Sequence, residues 1–170
     1  MQDWMVSTLA LRHVMLILAS LMLIPLVNVS ERLHFSWYSG LEAKSPEQSS
    51  YQSEAMMFDL VMTMACEGLG NAGLATEAST GGDFAAASRH YKAAAGVFHF
   101  LAHTQLPAWN ARGSNVSEES LPVECSVHVA EALEKLFVAN AQQMAVATVL
   151  MKPGVPNYGL LGKLCLGISE

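Results

Sequence analysis

Side chains that recur every seven residues between positions 84 and 105 constrain the fold of this chain more than any other feature. The positions seven apart are Phe84, Tyr91, Phe98 and Gln105. Between them, on the same side of a helix, lie Ala87, Ala94 and Leu101. Seven residues make almost two turns of an α-helix, so these side chains form one continuous stripe. The sequence therefore predicts a long helix that packs along its length against a neighbouring helix.

Three further segments show helical periodicity. From Glu54 onward, apolar residues at spacings of three and four predict a helix with one buried face, although three glycines from Gly68 onward weaken it. Another helix is predicted from about Leu121 to about Leu150, with Ser120 as its N-cap and Glu124 near its positive end. Its predicted apolar face comprises Cys125, Val129, Leu133, Leu136, Ala139, Gln143 and Ala147. A last apolar helix is predicted from Tyr158 to Ile168.

The remaining segments are short or polar. Alternation of large apolar and polar groups from Leu33 to Tyr38 predicts a strand or extended segment, and polar residues 39–53 predict a loop. Helices of unequal length, without alternation of strands and helices, predict an all-α, mainly helical fold. We expect one domain over residues 1–170, built as an elongated helical array with tetratricopeptide-like packing and a short extended segment near the N-terminus.

Composition excludes several classes of protein. The chain has 170 residues, of which 52% are hydrophobic and 14% charged, so it is too apolar for a disordered segment. A net charge of -6 and the absence of a Lys/Arg cluster argue against nucleic acid as a partner. Cys66, Cys125 and Cys165 are widely spaced in apolar stretches. They predict three buried free thiols in a reducing compartment, which favours the cytoplasm.

An uncharged apolar run from Val14 to Val27 leaves a second interpretation open. It fits the core of a signal peptide or a short anchor, so the chain would be a membrane-anchored or secreted helical protein with residues 1–30 as signal or anchor. The Asn-Val-Ser sequons at Asn28 and Asn115 suit that interpretation. However, the run is short for a membrane span and Pro25 interrupts it. We therefore expect residues 1–29 to form a buried apolar helix.

Candidate catalytic groups are few. His99 and His103 have the spacing at which two imidazoles on a helix reach one zinc ion, which keeps a metal-dependent hydrolase as an enzyme alternative. The intervening Phe-Leu-Ala lacks the glutamate of a metalloprotease helix, and the spacing indicates no third ligand. Glu131 and Glu134 are predicted to lie on the solvated face of their helix. The sequence therefore predicts no enzyme, no metal and no cofactor.

Five segments, taken in order, resemble the BRO domain family (Bro-one, the ALIX type). They are Leu33-His-Phe-Ser-Trp37, the helix around Glu54, the Ala-rich helix that ends in Ala-Ala-Gly-Val-Phe98, Leu136-Phe-Val-Ala-Asn-Ala-Gln-Gln143 and Gly159-Leu-Leu-Gly-Lys-Leu164. The resemblance covers residues 30–170. Ser53, Asn140 and Gln143 depart from the residues that the family prefers, and the family domain extends beyond both ends of the matched region. The chain is therefore similar to part of a BRO domain.

This resemblance implies a non-catalytic adaptor. Its partner would be the C-terminal amphipathic helix of an ESCRT-III subunit, bound in endosomal sorting and multivesicular-body formation. The protein would be cytoplasmic and recruited to endosomes, with peripheral association with the endosomal membrane. Carried over onto this chain, the binding site corresponds to Leu133, Leu136, Phe137 and Asn140.

We predict that the segment from Val14 to Val27 does not cross a bilayer, because it is too short and is interrupted by proline. In carbonate extraction of cells that express the chain, the protein should therefore appear in the supernatant. Quantitative retention in the membrane pellet would instead support the anchored alternative.

Overall fold

The computed structural model describes residues 34–42, 50–111, 121–155 and 157–168. The described part is mainly helical, which confirms the predicted fold class. The expected apolar helix over residues 1–29 and the predicted N-cap Ser120 lie outside the described residues. None of the helices within the described ranges is long and apolar enough to cross a membrane.

Within the described ranges, two strands, five α-helices and two short turns of other helical types follow one another. They are β1 (Phe35–Trp37), β2 (Tyr51–Ser53), α1 (Met56–Thr80), α2 (Phe84–Phe100), a π-helical turn (Leu101–Gln105), α3 (Leu106–Ala111), a 3-10 turn (Val123–Cys125), α4 (Val127–Leu150) and α5 (Tyr158–Ile168). α2 packs against both α1 and α4, and α5 packs against α4. Long helices that follow one another in the chain are therefore neighbours in space.

The extended segment pairs with a second strand that the sequence did not predict. β1 and β2 are antiparallel, with Phe35 opposite Ser53 and Trp37 opposite Tyr51. The loop prediction for residues 39–53 is therefore wrong at its end, because the three residues of β2 are too few to show an alternating pattern. The indole Nε1 of Trp37 donates a hydrogen bond of 2.8 Å to Oδ1 of Asp59, which fixes the sheet against the first turn of α1.

α1 continues without interruption through the glycines that were expected to weaken it. Gly68 is buried under the ring of Phe98 from α2. A Cβ atom at Gly68 would lie only 2.5 Å from Cε2 of that ring, which is closer than two non-bonded carbon atoms approach each other. The missing side chain therefore lets α1 and α2 approach closely, and this packing offsets the conformational cost of glycine in a helix.

The turn between α1 and α2 follows from its sequence. Gly82 adopts a φ of +82°, which glycine tolerates without strain. Asp83 then caps α2, with its Oδ1 accepting a hydrogen bond of 2.9 Å from the backbone N–H of Ala86. The start of α2 is thus set by local residues alone.

The stripe predicted on α2 is confirmed. Its most deeply buried members are Ala87, Ala94, Phe98 and Leu101. The ring of Phe98 also meets the ring of Phe137 from α4, with centroids 5.6 Å apart, while Tyr91 stacks on Phe137 at 6.2 Å. Phe98 therefore contacts residues of both neighbouring helices.

The apolar face predicted for α4 is rotated relative to the observed one. The buried residues of α4 are Ala130, Phe137 and Ala141. Ser88 of α2 donates a hydrogen bond of 2.9 Å to the backbone carbonyl of Ala141 at this contact. Leu136, which was placed on the buried face, is 51% exposed. Alanines lie on several sides of α4, so the sequence does not show which side is buried. The prediction placed the large apolar Leu136 on the buried side, and the structure exposes it.

Glu124 lies in the 3-10 turn and is buried, so it does not interact with a helix end as predicted. Its Oε1 accepts hydrogen bonds from the Ser39 hydroxyl at 2.9 Å and from the backbone N–H groups of Gly40 at 2.7 Å and Leu41 at 3.2 Å. Among the described residues, Oε2 has no partner. The carboxylate joins the segment after β1 to the beginning of α4.

We predict that Gly68→Ala lowers the free energy of unfolding by about 1–3 kcal/mol, the usual cost of overpacking a core. The added methyl group collides with the Phe98 ring, which also contacts the ring of Phe137. Urea denaturation followed by circular dichroism measures the effect.

The matched control is Gly96→Ala, at a helical position where an added Cβ meets nothing within 4 Å. This change should raise stability by about 0.5–1 kcal/mol, because alanine loses less backbone entropy on folding. Equal effects of the two substitutions would contradict close packing at Gly68.

Candidate functional site

The four residues expected to bind a partner divide between two sides of α4. Phe137 is 6% exposed and belongs to the hydrophobic core, and Leu133 is half-buried against that core. Leu136 is 51% exposed, and Asn140 is half-buried. Only part of the predicted set therefore faces solvent.

Helical geometry explains this division. Residues four apart lie on one side of an α-helix, so Leu133 and Phe137 face the core together, while Leu136 and Asn140 share the adjoining side. Ala132 and Gln143, at spacings of four and seven from Leu136, are also exposed. We call the side formed by Ala132, Leu136, Asn140 and Gln143 the outer face of α4.

A second group of side chains forms on the opposite flank of α4. His99 Nδ1 lies 2.9 Å from Oε1 of Glu134, and His103 Nε2 lies 3.1 Å from Oε2 of the same carboxylate. The two imidazole rings have centroids 4.5 Å apart. We call these three residues the His–Glu cluster. Ligand atoms of all three lie within 4.8 Å of one another.

Three elements bring this cluster together. His99 is in the last turn of α2, His103 is in the π-helical turn, and Glu134 comes from α4. The contact of Phe98 with Phe137 holds α2 beside α4 and so sets the distance across the cluster. Side chains of the histidines are 61% and 48% exposed, while that of Glu134 is 23% exposed. The carboxylate is therefore partly shielded and the imidazoles are open to solvent.

The sequence revealed the two histidines but not their partner. Glu134 is 31 residues from His103 and was assigned to a solvated face, whereas it contacts both rings. Spacing alone carries no signal for a contact between separate helices. The helical periodicity of α4 would have located Glu134 beside α2 if its buried face had been identified correctly.

The cysteines differ from the prediction of three buried thiols. All three are free, as expected, but Cys165 is exposed, and Cys66 and Cys125 are only half-buried. Burial, with a smaller contribution from the charge of Glu124, raises the pKa of Cys125 to about 12. The same two causes raise the pKa of Cys66. These two thiols hold their protons firmly, mainly because burial disfavours the charged thiolate and also because that thiolate would lie near the charge of Glu124.

No family model, curated protein or solved structure matches this chain. The similarity to BRO domains therefore rests on the order of the five sequence segments alone.

We predict that an alkylating reagent in limiting amount at about pH 8 modifies Cys165 before Cys66 and Cys125, since the thiolate is the reactive form and must be reached by reagent. Peptide mass spectrometry over time measures the order. In urea the three rates should converge, and Cys165→Ser should remove the fast phase from the native protein. Equal rates for the three thiols in the folded chain would show that Cys66 and Cys125 are neither shielded nor raised in pKa.

Proposed function

We propose that this chain is a non-catalytic helical adaptor, which resembles part of a BRO domain and binds the C-terminal amphipathic helix of an ESCRT-III subunit. The proposed binding surface is the outer face of α4. In this proposal the protein works in the cytoplasm and is recruited to endosomes during multivesicular-body formation. The exposure of Leu136 is the observation that carries the proposal.

Leu136 has the properties of a binding anchor. It is a large apolar side chain that is half exposed, and its helical neighbours on the outer face are the small Ala132 and the polar Asn140 and Gln143. Recognition of an amphipathic helix uses a few apolar anchors beside a few polar groups. The outer face offers this combination on one helix.

The packing of α4 against α2 also favours binding of a partner at the outer face. Phe137 and Ala141 are buried against α2, and Ser88 holds the backbone at Ala141 through a hydrogen bond. α4 is therefore fixed in place before a partner arrives, and a rigid surface loses less entropy on binding than a mobile one. In this arrangement Phe137 and Leu133 support the surface, while Leu136 and Asn140 contact the partner.

The anchored or secreted alternative concerns residues 1–30, which lie outside the described residues. It differs from the adaptor proposal in where the protein is found. Fractionation of cells separates the two, because an adaptor recruited to endosomes dissociates from membranes in carbonate, whereas an anchored protein does not.

We predict that Leu136→Asp weakens binding of an ESCRT-III C-terminal helix peptide by roughly 30-fold or more, which corresponds to the loss of about 2 kcal/mol from a binding hot spot. The substitution places a charge where the partner's apolar side chains would dock. Because Leu136 does not lie in the core, the helical circular dichroism of the variant should match that of the parent. Fluorescence anisotropy of the labelled peptide measures the affinity.

Val138→Asp is the matched control. Val138 is also a partly exposed apolar residue of α4, at 41%, but two helical residues place it about 160° around the helix from Leu136. Its substitution should leave the affinity within about twofold of the parent. The placement on the outer face is wrong if Leu136→Asp stays folded and binds as tightly as the parent, or if both variants lose affinity equally.

A further inference from the structure

We infer that His99, His103 and Glu134 form a binding site for one divalent transition-metal ion of the zinc type. The inference does not depend on the adaptor proposal, because the His–Glu cluster and the outer face occupy different sides of α4. It assigns a role to two histidines that the sequence left without a third ligand.

The donor set suits such an ion. Two imidazole nitrogens and one carboxylate oxygen make up the three protein ligands found at many open zinc sites, with a solvent molecule in the fourth position. Imidazole ligands favour zinc, cobalt, nickel and iron over magnesium and calcium, which prefer oxygen donors. In the His–Glu cluster the imidazoles are largely exposed, so solvent has access to the remaining coordination position.

The distances fit with little adjustment. Donors that lie about 2.0–2.1 Å from a tetrahedral ion are separated from one another by roughly 3.4 Å. The two nitrogen–oxygen distances are 2.9 and 3.1 Å, and the donor atoms of the cluster all lie within 4.8 Å of one another. Side-chain movements of a few tenths of an ångström to about one ångström therefore suffice, and exposed histidine rings rotate easily on that scale.

Two imidazoles converging on one carboxylate distinguish this cluster from the other histidine–glutamate contacts of the described chain. His34 lies 3.5 Å from Glu54, and His128 lies 3.9 Å from Glu131. In each of these pairs one ring meets one carboxylate at a longer distance. In the His–Glu cluster, by contrast, both rings approach opposite oxygens of a carboxylate that is itself partly shielded by α4 packing.

The backbone contributes to the convergence. His103 lies within the π-helical turn, and π-helical turns inside α-helices occur frequently at functional sites. His99 presents Nδ1 and His103 presents Nε2 to Glu134, so the other nitrogen of each ring is left to carry the proton when the first one binds an ion. An ion held in this way would connect the end of α2 and the π-helical turn to α4.

Titration of the untagged full chain with Co²⁺ and with Zn²⁺ tests the inference. Visible absorption reports the coordination of Co²⁺, and calorimetry gives the stoichiometry and affinity for Zn²⁺. We expect one ion per chain, and we expect the melting temperature to rise with the concentration of Zn²⁺, because an ion that binds only the folded state stabilises it.

Three variants and one control assign the site. His99→Ala, His103→Ala and Glu134→Gln should each weaken Zn²⁺ binding at least about tenfold, since even the loss of an outer-sphere partner costs that much. His128→Ala removes an exposed histidine that also contacts a glutamate, and it should leave the affinity unchanged. Circular dichroism confirms that each variant is folded.

The inference is overturned if the parent chain binds no ion with a stoichiometry of one, or if the three cluster variants bind Zn²⁺ as tightly as His128→Ala does. Either result would identify the cluster as a set of hydrogen bonds between two histidines and a carboxylate. A loss of Zn²⁺ binding without any effect on peptide binding by the same variants would support the metal site whatever becomes of the adaptor proposal.

Discussion

The contact of Phe98 with its neighbours on two helices is the interaction on which the rest of the structure depends. One part of its ring lies over Gly68 of α1, where no side chain is present, and another part meets Phe137 of α4. α1 and α4 therefore take their positions from the same side chain of α2. Both candidate sites follow from this arrangement, because the rotation of α4 that buries Phe137 sends Leu136 to solvent and Glu134 towards α2.

The helices could be predicted from the sequence, because their apolar residues recur at helical spacing and their ends carry local signals. The stripe on α2 and the cap at Asp83 are examples, and both are present in the structure. The strand β2 could not be predicted, since its three residues acquire their conformation only by pairing with β1. The same holds for Glu124, which is buried because the segment after β1 folds onto it.

The candidate sites were less accessible to sequence reasoning than the helices. The outer face of α4 depends on which of several alanine-rich sides is buried, and hydrophobicity does not distinguish Ala130 from Ala132. The His–Glu cluster depends on a contact across two helices, and no spacing within one helix reveals it. In both cases the missing information was the rotation of α4 about its own axis, which is determined by its packing against α2 through Phe98, Tyr91 and Ser88.

The π-helical turn at Leu101–Gln105 marks the place where this helical segment can lose a residue without turning its later side chains. A π-helical turn accommodates one more residue than an α-helical turn closed at the same points, so deletion of one residue here would permit a regular α-helix. Because the turn closes at the same points, Leu106 and Trp109 would still face the core after such a deletion. Each residue turns an α-helix by about 100°, so a deletion within the regular part of α2 would instead rotate these two side chains relative to the residues before it. A one-residue deletion in the π-helical turn is therefore expected to be tolerated better than the same deletion within the regular part of α2.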